Sequence, residues 1–99
     1  MYDEMDRLRE VEGLQRLLER YQDLGSDDRL IWRDRVQQLE GCESRELVKL
    51  HGELLAYGWI ELNTGATTTL QGTAQTLYRI TSAGIRALAQ LHDESELVG

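Results

Sequence analysis

From Asp3 to Leu24 the apolar residues Met5, Leu8, Val11, Leu14, Leu18 and Tyr21 recur at three- and four-residue steps, with Arg and Glu between them. That spacing places one apolar stripe on a helix over residues 3–24, roughly 33 Å long at 1.5 Å per residue. Leu17 and Leu24 fall off the stripe, which is more apolar surface than a helix packed once needs. Gly25 supplies a C-terminal stop and Ser26 an N-cap for a second helix over 27–40. Asp27 and Asp28 would sit in its first turn, where negative charge suits the helix dipole. Trp32, Val36 and Leu39 form its stripe, widened by Leu30 and Ile31, and Gly41 ends it. After the connection Gly41-Cys42-Glu43-Ser44, a third helix capped by Ser44 carries Leu47, Leu50, Leu54 and Tyr57 on its inner face and stops at Gly58. Gly52 lies inside it, at a cost of about 1 kcal/mol relative to Ala. Two readings account for it: a helix–helix contact that needs a small residue, or close backbone approach to a ligand.

The period then changes from helical to alternating. Trp59-Ile60-Glu61-Leu62-Asn63 and Thr76-Leu77-Tyr78-Arg79-Ile80 read as two short antiparallel strands. The segment between them, TGATTTLQGTAQ (64–75), is rich in Thr and Gly and holds no charge. Thr81 or Ser82 caps a last helix over 82–92, with Ile85, Leu88, Ala89 and His92 on one side, and residues 93–99 read as a frayed acidic tail. The expected fold is mainly α with a small β-hairpin, in a single domain over residues 1–99.

Composition narrows the picture in three ways. A chain of 99 residues with 40 % hydrophobic content supports one modest core and leaves little room for a deep substrate cavity. It contains neither Pro nor Phe, so nothing blocks long helices, and the core must rest on Leu, Ile, Val, Trp and Tyr. The single Cys42 excludes an internal disulfide and fits a reduced thiol. No stretch approaches the ~20 apolar residues of a membrane span, and the acidic N-terminus lacks the regions of a signal peptide. The expectation is a cytoplasmic protein without membrane contact.

Two segments carry a family resemblance. ELVKLHGELLAYGWIEL, from Glu46, resembles the recognition helix and first wing strand of MarR-type and PadR-type transcriptional regulators, with the step into the strand at Gly58-Trp59-Ile60. LYRITSAGIRAL resembles their second wing strand and following helix through Tyr78, Arg79, Ile80, Thr81 and Gly84. The resemblance covers about half the chain and implies a winged helix-turn-helix domain, with the helix-turn-helix at 27–57 and the wing at 59–80. In such domains the recognition helix enters the major groove and the wing reaches phosphates or the minor groove. The implied DNA-contacting residues are Arg45, Lys49 and Gly52 on the helix and Thr67 and Thr68 on the wing. Arg29, Arg33 and Arg35 of the second helix would form a supporting basic cluster, unless they pair with Asp28 and Asp34 along their own helix. The terminal helices of these regulators pair across a two-fold axis, which implies a homodimer through the N-terminal and C-terminal helices.

Charge works against a simple DNA reading. The net charge is −7 and the pI about 4.7, whereas phosphate neutralisation supplies much of the affinity of nucleic-acid binders. Residues 43–57 hold two basic and three acidic groups, and the wing tip holds no Arg or Lys. An acidic winged-helix module that pairs with an unidentified protein, through a Thr-rich strand edge, is therefore the alternative. Catalytic chemistry is absent from the pattern, so no enzyme is expected. His51 and His92 lie on helix faces with apolar neighbours and read as core or interface residues; Ser44 and Ser82 read as caps. Gly65…Gly72 lacks the Lys and the strand-to-helix context of a phosphate loop. No His, Cys or Asp spacing offers a metal site, and no cofactor is implied.

Overall fold

A computed structural model describes residues 3–28, 30–68 and 74–98, with the side chains of 64–75 and 95–98 left undescribed. Its elements are α1 (Glu4–Glu10), α2 (Glu12–Leu24), β1 (Arg33–Asp34), α3 (Ser44–Ala56), β2 (Ile60–Thr68), β3 (Ala74–Ile80) and α4 (Ser82–Val98). The three strands form an antiparallel sheet in the order β1-β3-β2. Mainly helical content with a small sheet is as expected from the patterning; three element boundaries are not.

The first correction is at the N-terminus, where one expected helix over 3–24 is two. Asp3 opens α1 with a reciprocal capping box: its carboxylate accepts from the Asp6 N–H, and the Asp6 carboxylate accepts from the Asp3 N–H. Val11 then turns extended (φ −104°, ψ 99°) and the helix restarts at Glu12. Carbonyls orphaned by the break are recovered by Gln15, whose Nε2 donates to the oxygens of Leu8 and Arg9 at 2.8 and 3.2 Å. The break lets α1 lie across both α3 and α4. Arg7 grips Glu53 of α3 with two hydrogen bonds, and Arg9 grips Glu94 of α4 with two more at 2.8 and 2.7 Å.

The second correction is larger: none of the described residues of 27–40 is helical. Asp28 Oδ1 accepts from the Leu30 N–H at 2.9 Å and its carbonyl from the Ile31 N–H, a local turn that competes with helix initiation. Arg33 and Asp34 pair instead with Tyr78 and Leu77 of β3. The expected stripe is dispersed among separate partners. Trp32 lies beneath the Arg79 guanidinium, 3.9 Å from carbon to ring centroid, while Arg79 also holds the Leu30 carbonyl and Glu61. Val36 enters the core, and Leu30 and Ile31 stay exposed. Tertiary pairing has overridden a local helical pattern.

Third, α4 does not fray at residue 93 but continues to Val98, with Glu94 fastened to Arg9. At the start of α3, Glu43 occupies the N-cap position without a side-chain bond and Ser44 is the first helical residue, so the expected serine cap is absent. The strands are also longer than their alternating cores, and a register shift falls between Thr64 and Thr67.

The core lies around α2. Leu14, Leu17, Leu18 and Tyr21 are all buried, because this helix packs against α1, α3, α4 and β3. Leu17, off the sequence stripe, is therefore covered within the chain. Leu47, Leu50 and Leu54 of α3, Ile60 and Ile80 of the sheet, and Leu88 of α4 complete the same cluster. Packing is tight where α2 crosses α3: a Cβ on Gly13 would come within 2.9 Å of Leu50 Cδ1.

The two segments that carried the resemblance meet at one junction. Gly58 adopts φ +74°, a left-handed conformation that favours glycine, and ends α3. Thr81 caps α4 by accepting from the Gly84 N–H at 3.0 Å, while its hydroxyl donates to the Gly58 carbonyl at 2.6 Å. The Thr81 N–H donates to the Trp59 carbonyl at 2.9 Å. One threonine thus ties the end of α3, the start of β2 and the start of α4 together.

Candidate functional site

The geometry of α3 follows from which residues it buries. Leu47, Leu50, His51 and Leu54 face the core. Arg45, Val48, Lys49, Gly52 and Ala56 are exposed, and their spacing of three, four and seven residues puts them on one outer stripe. Arg45 and Lys49 make no ion pair among the described residues. Their acidic neighbour Glu53 is occupied by the Arg7 guanidinium and by the Tyr57 hydroxyl at 2.9 Å. The Arg7 contact holds the Glu53 carboxyl below the usual carboxylate range. Glu43 and Glu46 remain exposed at the start of the helix.

Gly52 has open space where its side chain would be, with nothing within 4 Å. Among the described residues no helix packs on it, so the helix–helix contact is corrected: the glycine answers no packing need among them.

The buried face of α3 is fixed by a hydrogen-bonded relay. The Val36 N–H donates to the Tyr21 hydroxyl at 2.9 Å, and that hydroxyl lies 2.7 Å from His51 Nε2. His51 Nδ1 lies 2.9 Å from the Leu47 carbonyl, which can only accept. Nδ1 therefore carries the proton, and Nε2 accepts from Tyr21 O–H. Burial pushes the Tyr21 hydroxyl up to about 12 and His51 below its ordinary value. His51 is thus a satisfied core residue. His92, in contrast, is exposed, 3.8 Å from Glu19.

The expected basic cluster is partly assembled. Arg33 and Arg35 line one open cleft, but they do so from an extended segment and are joined by Arg20 of α2. Spacing in the sequence gave no sign of Arg20, because only the fold brings α2 beside residues 33–38. Arg29 lies outside the described residues, as do the side chains of Thr67 and Thr68; the backbone of those threonines pairs with Gln75 and Ala74. Gln37 and Gln38 belong both to this cleft and to a second one that runs to Ser44 at the start of α3. Among the described residues, no helix is long and apolar enough to cross a membrane. Compared with protein-family models, with curated proteins and with solved structures, the chain finds no match.

Proposed function

We propose that this chain is a winged helix-turn-helix domain that binds duplex DNA with the outer stripe of α3 and catalyses no reaction, in the manner of MarR-type and PadR-type regulators. The element order from α2 onward and the sheet order β1-β3-β2 support the architecture, although the first helix of the helix-turn-helix, expected over 27–40, is replaced by extended and irregular chain.

The observation that carries the reading is the α3 stripe itself. Arg45 and Lys49 offer two cations one turn apart with no ion pair among the described residues, and Gly52, one turn further, bears no side chain. A mid-helix glycine on an exposed face costs about 1 kcal/mol of helix stability. Close approach to a groove wall gives that cost a purpose. The net charge of −7 repels a polyanion from the rest of the surface, so the local positive face would also orient the duplex.

The test is fluorescence anisotropy with a random-sequence duplex at low salt, where non-specific dissociation constants of roughly 10⁻⁴–10⁻⁶ M are expected. Arg45→Ala with Lys49→Ala should weaken binding by at least about tenfold and flatten the log–log salt slope by about 2, one per phosphate contact. Gly52→Leu should raise the thermal midpoint while weakening binding, opposite movements that mere destabilisation does not produce. Unchanged affinity in the double variant would refute the α3 contact.

A second reading has one observation in its favour. Among the described strands β2 lies at a sheet edge, with its own Leu62 exposed, and an edge of this kind can pair with an extended segment of another protein. Failure of the native chain to bind any duplex at low salt would move the assignment to that acidic interaction module.

A further inference from the structure

The cleft between α2 and residues 33–38 has a volume of about 720 Å³ and a lining unlike the rest of the surface. Arg20, Arg33 and Arg35 contribute three guanidinium groups, against one carboxylate from Asp34 that is already engaged. None of the three arginines makes an ion pair among the described residues. Gln37 and Gln38 add two carboxamides with donor hydrogens.

One atom marks the cleft as more than a charged surface. Arg33 Nε is sealed from solvent and has no hydrogen-bond partner among the described residues. Buried donors are satisfied in the great majority of cases, so an orphaned one asks for a missing acceptor. Guanidinium groups meet phosphate oxygens in paired, charge-assisted hydrogen bonds. A carboxamide pair beside them adds neutral donors suited to the remaining oxygens.

We propose that this cleft is a phosphate-binding site, with the half-buried Arg33 as its anchor and Arg20 and Arg35 as further cationic donors. The chemistry is common to two sources, a phosphodiester of a duplex and a free phosphate-bearing molecule. The site stands independently of the α3 reading, although the second cleft, which shares Gln37 and Gln38, leads from it toward the start of α3.

The test is two-dimensional NMR of the full chain, following the Arg Nε–H and Gln side-chain amide resonances during titration. Sodium pyrophosphate is one probe and a random-sequence duplex the other, each against sodium chloride at matched ionic strength. Saturable shifts of Arg33 Nε–H and of Gln37 and Gln38 are expected, and chloride should not reproduce them. Response to pyrophosphate identifies a free phosphate ligand; response to the duplex alone identifies a backbone phosphate. Arg33→Gln should weaken whichever binding is seen at least tenfold without lowering the thermal midpoint, since Arg33 Nε holds no hydrogen bond among the described residues. Arg20→Gln and Arg35→Gln should each weaken it less. The Arg45→Ala and Lys49→Ala double variant should still take pyrophosphate if that probe binds, which separates failure of this site from failure of the α3 contact. Absence of saturable shifts with both probes, or wild-type affinity in Arg33→Gln, would overturn the proposal.

Discussion

Replacing Gly84 by alanine is expected to destabilise the fold by about 3 kcal/mol, the upper end of what overpacking usually costs. A methyl group there would overlap the Trp59 carbonyl oxygen and press to 2.8 Å from Ile80 Cγ1. The carbonyl cannot yield easily, because it accepts the Thr81 N–H that fixes the start of α4. Helix propensity alone predicts the opposite sign, a gain of about 1 kcal/mol for Gly→Ala. Gly52→Ala supplies the internal control: the same exchange in open space on α3 should gain that amount. Urea unfolding with an unchanged m-value measures both. For a domain of this size, a loss of about 3 kcal/mol lowers the thermal midpoint by roughly 12–24 °C. A Gly84→Ala protein as stable as the native chain would show that α4 does not seat on Trp59 as described.

The second large effect belongs to Tyr21. Tyr21→Phe keeps the ring but leaves the Val36 N–H without an acceptor and His51 Nε2 without a donor, both inside the core. Each orphaned group costs about 1–3 kcal/mol, so a loss of about 3 kcal/mol is expected. The titration behaviour adds a signature that simple packing loss lacks. The folded state holds the Tyr21 hydroxyl up to about 12, against 10 when unfolded. Between these values the unfolded chain binds fewer protons, so stability falls as pH rises, by about 3 kcal/mol in all at about 1.4 kcal/mol per unit. Burial holds His51 below its ordinary 6.5. Below that pH the unfolded chain binds more protons, so stability falls as the solution is acidified, before the Glu53 and Glu94 carboxylates begin to titrate below 4.5. Denaturation series across both limbs should show the alkaline fall in the native chain and its reduction in Tyr21→Phe. An equal alkaline fall in the two would remove Tyr21 as its source.

These positions show where the sequence could be read and where it could not. Helix α3, the hairpin strands and α4 announce themselves through period, a left-handed glycine stop at Gly58 and the Thr81 cap, all of which act over a few residues. Residues 27–40 mislead for a physical reason. Trp32, Val36 and Leu39 have helical spacing, but the partners that decide their conformation are Arg79, Tyr21 and β3, far along the chain. The break at Val11 contains no Pro or Gly to signal it, and the compensating Gln15 side chain is visible only once folded. Glycines reversed their expected meanings. Gly52, which could have been a packing contact, meets nothing, while Gly84, read as part of a motif, meets the backbone. On the candidate site, Arg45, Lys49 and Gly52 were legible because one helix carries them. Arg20 was not, since its neighbours Arg33 and Arg35 join it only through the tertiary fold.

The pairing of β1 with β3 has a kinetic consequence. The β2–β3 hairpin closes a short loop, whereas Arg33 and Asp34 find Tyr78 and Leu77 across α3 and β2, a long closure like those of Arg7 with Glu53 and Arg9 with Glu94. Long closures come late, because their entropy is lost before any contact offsets it. The segment that floors the arginine cleft is therefore expected to dock after the hairpin has formed, with Arg79 on Trp32 and the Leu30 carbonyl and the Val36–Tyr21 bond holding it in place, an order that native-state exchange would test. A ligand seated there would act as a latch, slowing the escape of that segment.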